Sequence, residues 1–158
     1  MLQAVQAIHE EKIVHSDLKP ANFLMVEGAL KLIDFGIATT IQGDATSVFR
    51  ENQMGTMNYM SPEALMNDEG NHLKLGRPSD VWALGCILYQ MVYGSTPFAQ
   101  IVSAHHKINA IVNPNHQITF APIRNTALLD VMKSCLQRDP AARPTIPSLL
   151  EHKFLHPY

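Results

Sequence analysis

The chain has 158 residues, 46% of them hydrophobic and 16% charged, with a formal charge of −2. That is enough chain for one domain with a real hydrophobic core, and the near-neutral balance gives no electrostatic footprint for nucleic acid or an anionic membrane. The longest apolar stretch, 81–93, is broken by Gly85 and Gln90 and falls short of the roughly eighteen residues that a membrane span needs.

In chain order, residues 1–11 carry Leu2, Val5 and Ile8 with Ala4 and Ala7 between them, a spacing that predicts a helix entered without a capping residue. The same residues show no basic start and no continuous apolar core, so no signal peptide is expected. Next comes His15-Ser16-Asp17-Leu18-Lys19-Pro20-Ala21-Asn22, which sets an acid, a base and an amide acceptor close together. Pro20 restricts Lys19 to extended backbone, which is expected to hold this loop open. Phe23-Leu24-Met25-Val26 and Leu30-Lys31-Leu32-Ile33 read as two short strands turning at Glu27-Gly28, a hairpin whose far end delivers Asp34. Residues 37–59 are polar and too long for an ordinary loop, with hydroxyls at Thr39, Thr40, Thr46 and Ser47.

Residues 67–78 read as an inserted surface loop. Ser79 is then expected to cap the central buried helix, with Asp80 in its first turn facing the positive end of the helix dipole. Thr96-Pro97-Phe98 is expected to end that segment. A further amphipathic helix is expected over 100–112, another over 126–137 and a last one over 147–152. Cys86 and Cys135 sit in apolar helical surroundings and form no C-x-x-C pair, which predicts buried thiols in a reducing compartment. The His105-His106 doublet lacks the i, i+4 spacing of a helical metal pair, so zinc is not expected.

Three motifs occur in order: H-S-D-L-K-P-A-N at 15–22, D-F-G at 34–36 and S-P-E at 61–63. They follow the H-R-D-L-x-x-x-N, D-F-G, A-P-E series of protein kinases. His15, Asp17, Lys19, Asn22, Asp34, Phe35 and Gly36 together fix seven positions, roughly one in a billion per start point for even residue usage. The chain therefore resembles the catalytic half of a eukaryotic protein kinase. The segments around 15–24, 30–38, 58–64 and 79–89, with Asn113-Pro114-Asn115-His116 and Leu136-Gln137-Arg138-Asp139-Pro140, are similar to the monopolar-spindle dual-specificity kinases.

The resemblance implies a mainly α fold, the C-terminal lobe of a kinase domain: a helical bundle with a small β-hairpin beside the catalytic loop. That lobe covers 1–158, with the catalytic loop at 13–22 and the activation segment at 34–63. It implies transfer of phosphate from ATP to protein serine or threonine, and in some members tyrosine. Such a reaction asks the protein to position reactants and neutralise phosphate charge. Mg2+ prefers oxygen ligands, which suits Asn22 and Asp34 as the metal and nucleotide residues. Asp17 is left to accept the proton of the substrate hydroxyl, and Lys19 to meet the transferring phosphate as a point charge.

Thr56 with Lys19 resembles the substrate-side pairing of serine/threonine kinases. By the same resemblance Glu63 pairs with Arg143, and Asp80 accepts hydrogen bonds from the catalytic-loop backbone, holding His15 and Asp17. Ser16 stands where the family has an arginine that grips a phosphorylated activation loop. It is either simply tolerated there or marks a loop ordered by other contacts. The 158 residues contain no G-x-G-x-x-G and no V-A-I-K strand, so the expectation is a chain lacking the N-terminal lobe and inactive by itself. The alternative is a non-catalytic scaffold or binding module. Expected partners are protein substrates of the kinetochore or checkpoint, with neither nucleic acid nor membrane, and the expected location is nucleus, cytoplasm, kinetochore or spindle.

Overall fold

The computed structural model describes residues 1–34, 55–66 and 75–156. Phe35, Gly36, Thr39, Thr40, Thr46, Ser47 and most of the expected loop at 67–78 lie outside them.

Helix α1 (Leu2–Glu10) buries Val5, Ile8 and His9 on one stripe, at the i, i+3, i+4 spacing of an amphipathic helix, and no side chain caps its start. The chain then runs through 13–19 into a 3₁₀ turn, Pro20–Asn22. Lys19 is extended (φ −153°, ψ 164°), as the following proline requires. The loop does coil immediately afterwards, because a proline ring fits the first position of a helical turn. Strands β1 (Phe23–Val26) and β2 (Ala29–Leu32) pair antiparallel with Phe23 opposite Leu32 and Val26 opposite Ala29. Glu27 and Gly28 both have positive φ, 50° and 78°, the backbone of the two-residue turn that matches strand twist.

Helices α2 (Pro62–Leu65), α3 (Arg77–Tyr93), α4 (Ala104–Val112), α5 (Thr126–Cys135) and α6 (Ile146–Leu150) follow, with a 3₁₀ turn at Pro140–Ala142 before the last. Ten of the seventeen residues of α3 are buried, as expected of a helix apolar on most of its circumference. One side of α3, including Val81, Leu84 and Ile87, packs with Val5, Leu18, Phe23, Val131 and Leu149. Its other side, Trp82, Cys86 and Tyr89, packs with Phe98, Ile111, Met132 and Leu136. Both thiols are free and buried, and burial pushes Cys135 up to about 12.

Several boundaries differ from the sequence reading. Helix α3 starts at Arg77, not at Ser79, because Pro78 is accommodated in its first turn. Its N-cap is Gly76, and the buried Ser79 hydroxyl instead meets the Ser61 hydroxyl at 2.8 Å. The helix ends at Gly94 (φ 81°), ahead of Thr96, because only a residue free of Cβ adopts that left-handed cap cheaply. Helix α4 begins at Ala104 instead of 100, where the Ser103 side chain accepts the His106 amide hydrogen, so Ile101 packs from the preceding turn. Helix α5 stops at Cys135, and α6 starts one residue early, capped by Thr145. Among the described residues no helix is long and apolar enough to cross a membrane, and no cluster of three or more potential metal ligands from His, Cys, Asp and Glu occurs.

Candidate active site

The loop at 13–19 hangs from one carboxylate in the core. Asp80, fully buried in the first turn of α3, accepts the backbone N–H groups of His15 (3.0 Å) and Ser16 (2.9 Å). Its Oδ2 also meets His9 Nε2 at 2.8 Å. Ser16 has φ 67°, a left-handed conformation that costs a residue with a Cβ about 1–2 kcal/mol. The bond from its amide to Asp80 offsets part of that cost, since hydrogen bonds to charged groups contribute about 1.5–3 kcal/mol. The structure thus gives Asp80 a backbone-holding contact as well as its place at the positive end of α3.

His15 is 1% exposed, and its Nδ1 accepts the Asp17 amide hydrogen at 3.3 Å. With Nδ1 accepting, the ring N–H lies on Nε2, which faces the Ile33 carbonyl at 3.5 Å. Asp17 follows with its carboxylate in solvent contact. Lys19 Nζ lies 3.4 Å from Asp17 Oδ2 and 3.3 Å from Thr56 Oγ1. Both separations are long, and both charged side chains are partly exposed, so this is a loose cluster of little worth to stability. Its chemistry is a carboxylate, an ammonium and a hydroxyl facing one another at the surface.

Asn22 is buried, and its Oδ1 accepts the Lys19 amide hydrogen at 3.1 Å. An amide oxygen has two lone pairs, and among the described residues the Lys19 amide takes one of them. The Asn22 carbonyl accepts the Ile33 N–H at 2.7 Å, joining the loop to the strand end that delivers Asp34. Asp34 is exposed and left-handed at φ 53°. The backbone bond to Ile33 thus brings Asn22 beside the residue that precedes Asp34, and both side chains carry oxygens of the hard kind that magnesium prefers.

Glu63 and Arg143 lie apart from that cluster and fasten α2 to the rest of the domain. The Glu63 carboxylate accepts two bonds from Arg143, at 2.7 and 2.8 Å. Arg143 also donates to the carbonyls of Gln137, Pro78 and Arg138, so all five guanidinium donors are occupied, and its guanidinium lies 5.2 Å from the Trp82 ring. Burial works to raise the Glu63 carboxyl, but hydrogen bonds and charge from Arg143 outweigh it and hold the group below its usual value.

Spacing gave no notice of His9, Asn58, Tyr59 or Lys107 as polar anchors. Tyr59 donates to Gln90 Oε1 at 2.7 Å, and Lys107 donates to Asn58 Oδ1 at 2.6 Å. His9 carried one signal, its place beside Val5 and Ile8 on the apolar stripe of α1. A cavity of about 530 Å³ bounded by Leu84, Leu88, Val131, Leu149 and Phe154 contains none of the catalytic-loop residues. Exposed apolar side chains do gather at the hairpin and the loop before it: Ile13, Leu24, Met25 and Val26.

The family model of the protein kinase domain matches residues 1–155. Among curated proteins the chain is 54% identical over 98% of its length to the dual specificity protein kinase Ttk of Danio rerio, of which it covers 16%. It is 52% identical over 99% of its length to the serine/threonine-protein kinase mph1 of Schizosaccharomyces pombe, covering 26% of it. To the serine/threonine-protein kinase MPS1 of Saccharomyces cerevisiae it is 42% identical over its whole length, covering 23%. The chain thus spans between a sixth and about a quarter of these relatives. With the 13–22 loop slung from a helix carboxylate and joined by backbone to the strand that leads to Asp34, and with the family model matching residues 1–155, the chain belongs to the protein kinase family.

Proposed function

We propose that these residues form the C-terminal lobe of an ATP- and magnesium-dependent protein kinase of the monopolar-spindle type, phosphorylating serine and threonine and in some substrates tyrosine. The observation that carries the reading is the loose cluster of Asp17, Lys19 and Thr56 beside a loop whose backbone is bonded to the strand leading to Asp34. Asp17 accepts the proton of the substrate hydroxyl. Lys19, only weakly committed to its neighbours, meets the phosphate in transfer. Thr56 orients Lys19 and borders the substrate. Asn22 and Asp34 hold magnesium, which when bound neutralises charge on the ATP phosphates. His15, Asp80, Glu63 and Arg143 keep these groups in register.

The domain assignment, catalytic loop 13–22 and activation segment 34–63 within a lobe spanning 1–158, belongs to the same proposal. Exposed Ile13, Leu24, Met25 and Val26 suit a face that docks against a nucleotide-covering lobe. Because the 158 residues hold no glycine-rich phosphate loop and no phosphate-pairing lysine strand, they do not turn over ATP by themselves. The likeness to Mps1- and Ttk-type kinases supports checkpoint or kinetochore proteins as substrates, with work at the spindle in the nucleus or cytoplasm.

The test joins this segment to a nucleotide-covering kinase lobe and compares Asp17→Asn and Asp34→Asn with the parent. Phosphate transfer falls by about 10³-fold or more in each, with the melting temperature little changed. Turnover within a few-fold of the parent in either variant overturns the reading.

A further inference from the structure

Lysine is almost never fully buried unless paired, yet Lys107 on α4 is 4% exposed. Its ammonium donates to Asn58 Oδ1 at 2.6 Å, and none of the ion pairs among the described residues includes it. Burial lowers its affinity for the proton. Desolvating such a group is costly, and a leucine or methionine would fill the same space without that cost.

What the arrangement achieves lies at the other end of the bond. Asn58 sits in the middle of a turn closed by two backbone bonds, Tyr59 N–H to the Thr56 carbonyl at 3.0 Å and Met60 N–H to the Met57 carbonyl at 3.2 Å. The buried Met57 side chain and the bond from Tyr59 to Gln90 fix that turn to the core and to α3. Lys107 fixes it to α4. The turn opens with Thr56, whose hydroxyl meets Lys19, which in turn faces Asp17. A mechanical link therefore runs from α4 to the aspartate: Lys107 bonds Asn58, the backbone of the turn carries on from Asn58 to Thr56, and Thr56 meets Lys19, which faces Asp17.

We propose that Lys107 is a positioning residue for phosphate transfer, acting through Asn58 to hold the 56–60 turn so that Thr56 presents its hydroxyl to Lys19. This rests on the kinase reading for its catalytic half only. A cation suits the task better than an apolar side chain because its bond to the Asn58 side-chain oxygen Oδ1 is directional and charge-assisted, and so fixes the orientation of the turn as well as its depth.

The test has two arms. In the 158-residue chain, amide exchange is followed at Tyr59 and Met60, the donors that close the turn. Lys107→Met speeds exchange there by about tenfold or more, the effect of losing one charge-assisted bond, while the amides of α3 stay as they were. Lys107→Arg restores most of the protection, and Asn58→Ala reproduces the loss from the other end, which also serves if the methionine variant does not fold. Unchanged exchange at Tyr59 and Met60 in both Lys107→Met and Asn58→Ala overturns the proposal. So does acceleration that spreads equally into α3, the signature of a purely structural role.

In the second arm, with a nucleotide-covering lobe attached, Lys107→Met lowers kcat by about tenfold with KM for Mg-ATP within twofold, and adds nothing further to Asn58→Ala. An unchanged kcat beside altered exchange also overturns it. Absence of phosphate transfer in the parent protein refutes the kinase reading, and the exchange arm then decides by itself whether Lys107 holds the turn.

Discussion

At the scale of single residues, the most consequential contact is the one between Glu63 and Arg143. The Arg143 side chain is fully buried and every guanidinium donor is satisfied, two of them by Glu63. Removing the carboxylate leaves a buried cation with two donors unmet. Glu63→Ala is therefore expected to cost about 3–5 kcal/mol at neutral pH, read as a lower urea midpoint at unchanged slope. The pH dependence follows from the lowered Glu63 carboxyl. Its contribution is complete above the unfolded carboxylate value of about 4.3 and is lost as pH falls through the lower folded value. The gap between parent and variant should accordingly close in acid. A gap below about 1 kcal/mol at pH 7, or one that widens on acidification, contradicts this account.

At the scale of elements, the seating of α3 on α5 depends on the absence of one atom. Gly85 lies in the middle of α3, where replacement by alanine would ordinarily gain about 1 kcal/mol of helix propensity. A Cβ built there would stand 2.8 Å from Cys135 Cβ and 3.1 Å from two carbons of Leu136. Neither Cys135 Cβ nor the helix carrying it moves without displacing the core, and overpacking of this kind costs about 1–3 kcal/mol. The steric term wins. Gly85→Ala should lower the melting temperature, and a raised one would show that α5 yields more easily than its packing implies. The helix interior thus runs against propensity at a point where the end of α5 leaves no room for a Cβ.

At the scale of the whole molecule, the asymmetry is in where apolar surface remains. Met91 near the end of α3 and Val102 stand singly exposed, whereas Leu24, Met25 and Val26 are exposed in a row on one hairpin strand, Leu24 and Met25 to 47% and 68%. The folded chain should therefore bind a hydrophobic dye at this face. Leu24→Thr with Met25→Lys should cut the fluorescence by about half or more, with the fold retained by circular dichroism. Fluorescence unchanged in that double variant would place the sticky surface elsewhere, with the groove along Leu88, Leu149 and Phe154 the next region to alter.

What was legible in the sequence was what local chemistry restricts. An acid, a lysine and an asparagine within six positions, the proline that fixes Lys19, the Glu27-Gly28 turn and the apolar periodicity of α1, α3 and α5 each follow from neighbours in the chain. The pairing of Glu63 with Arg143 came from resemblance and not from spacing, since eighty residues separate them. Helix ends were less legible, because Pro78 and Pro147 sit inside first turns, where a proline permits a helix as readily as it stops one. Tertiary structure alone decided that His9 meets Asp80 across 71 positions and that Lys107 meets Asn58 across 49. A buried polar group takes whichever partner the packing brings within 3 Å, and packing joins residues that no local pattern connects.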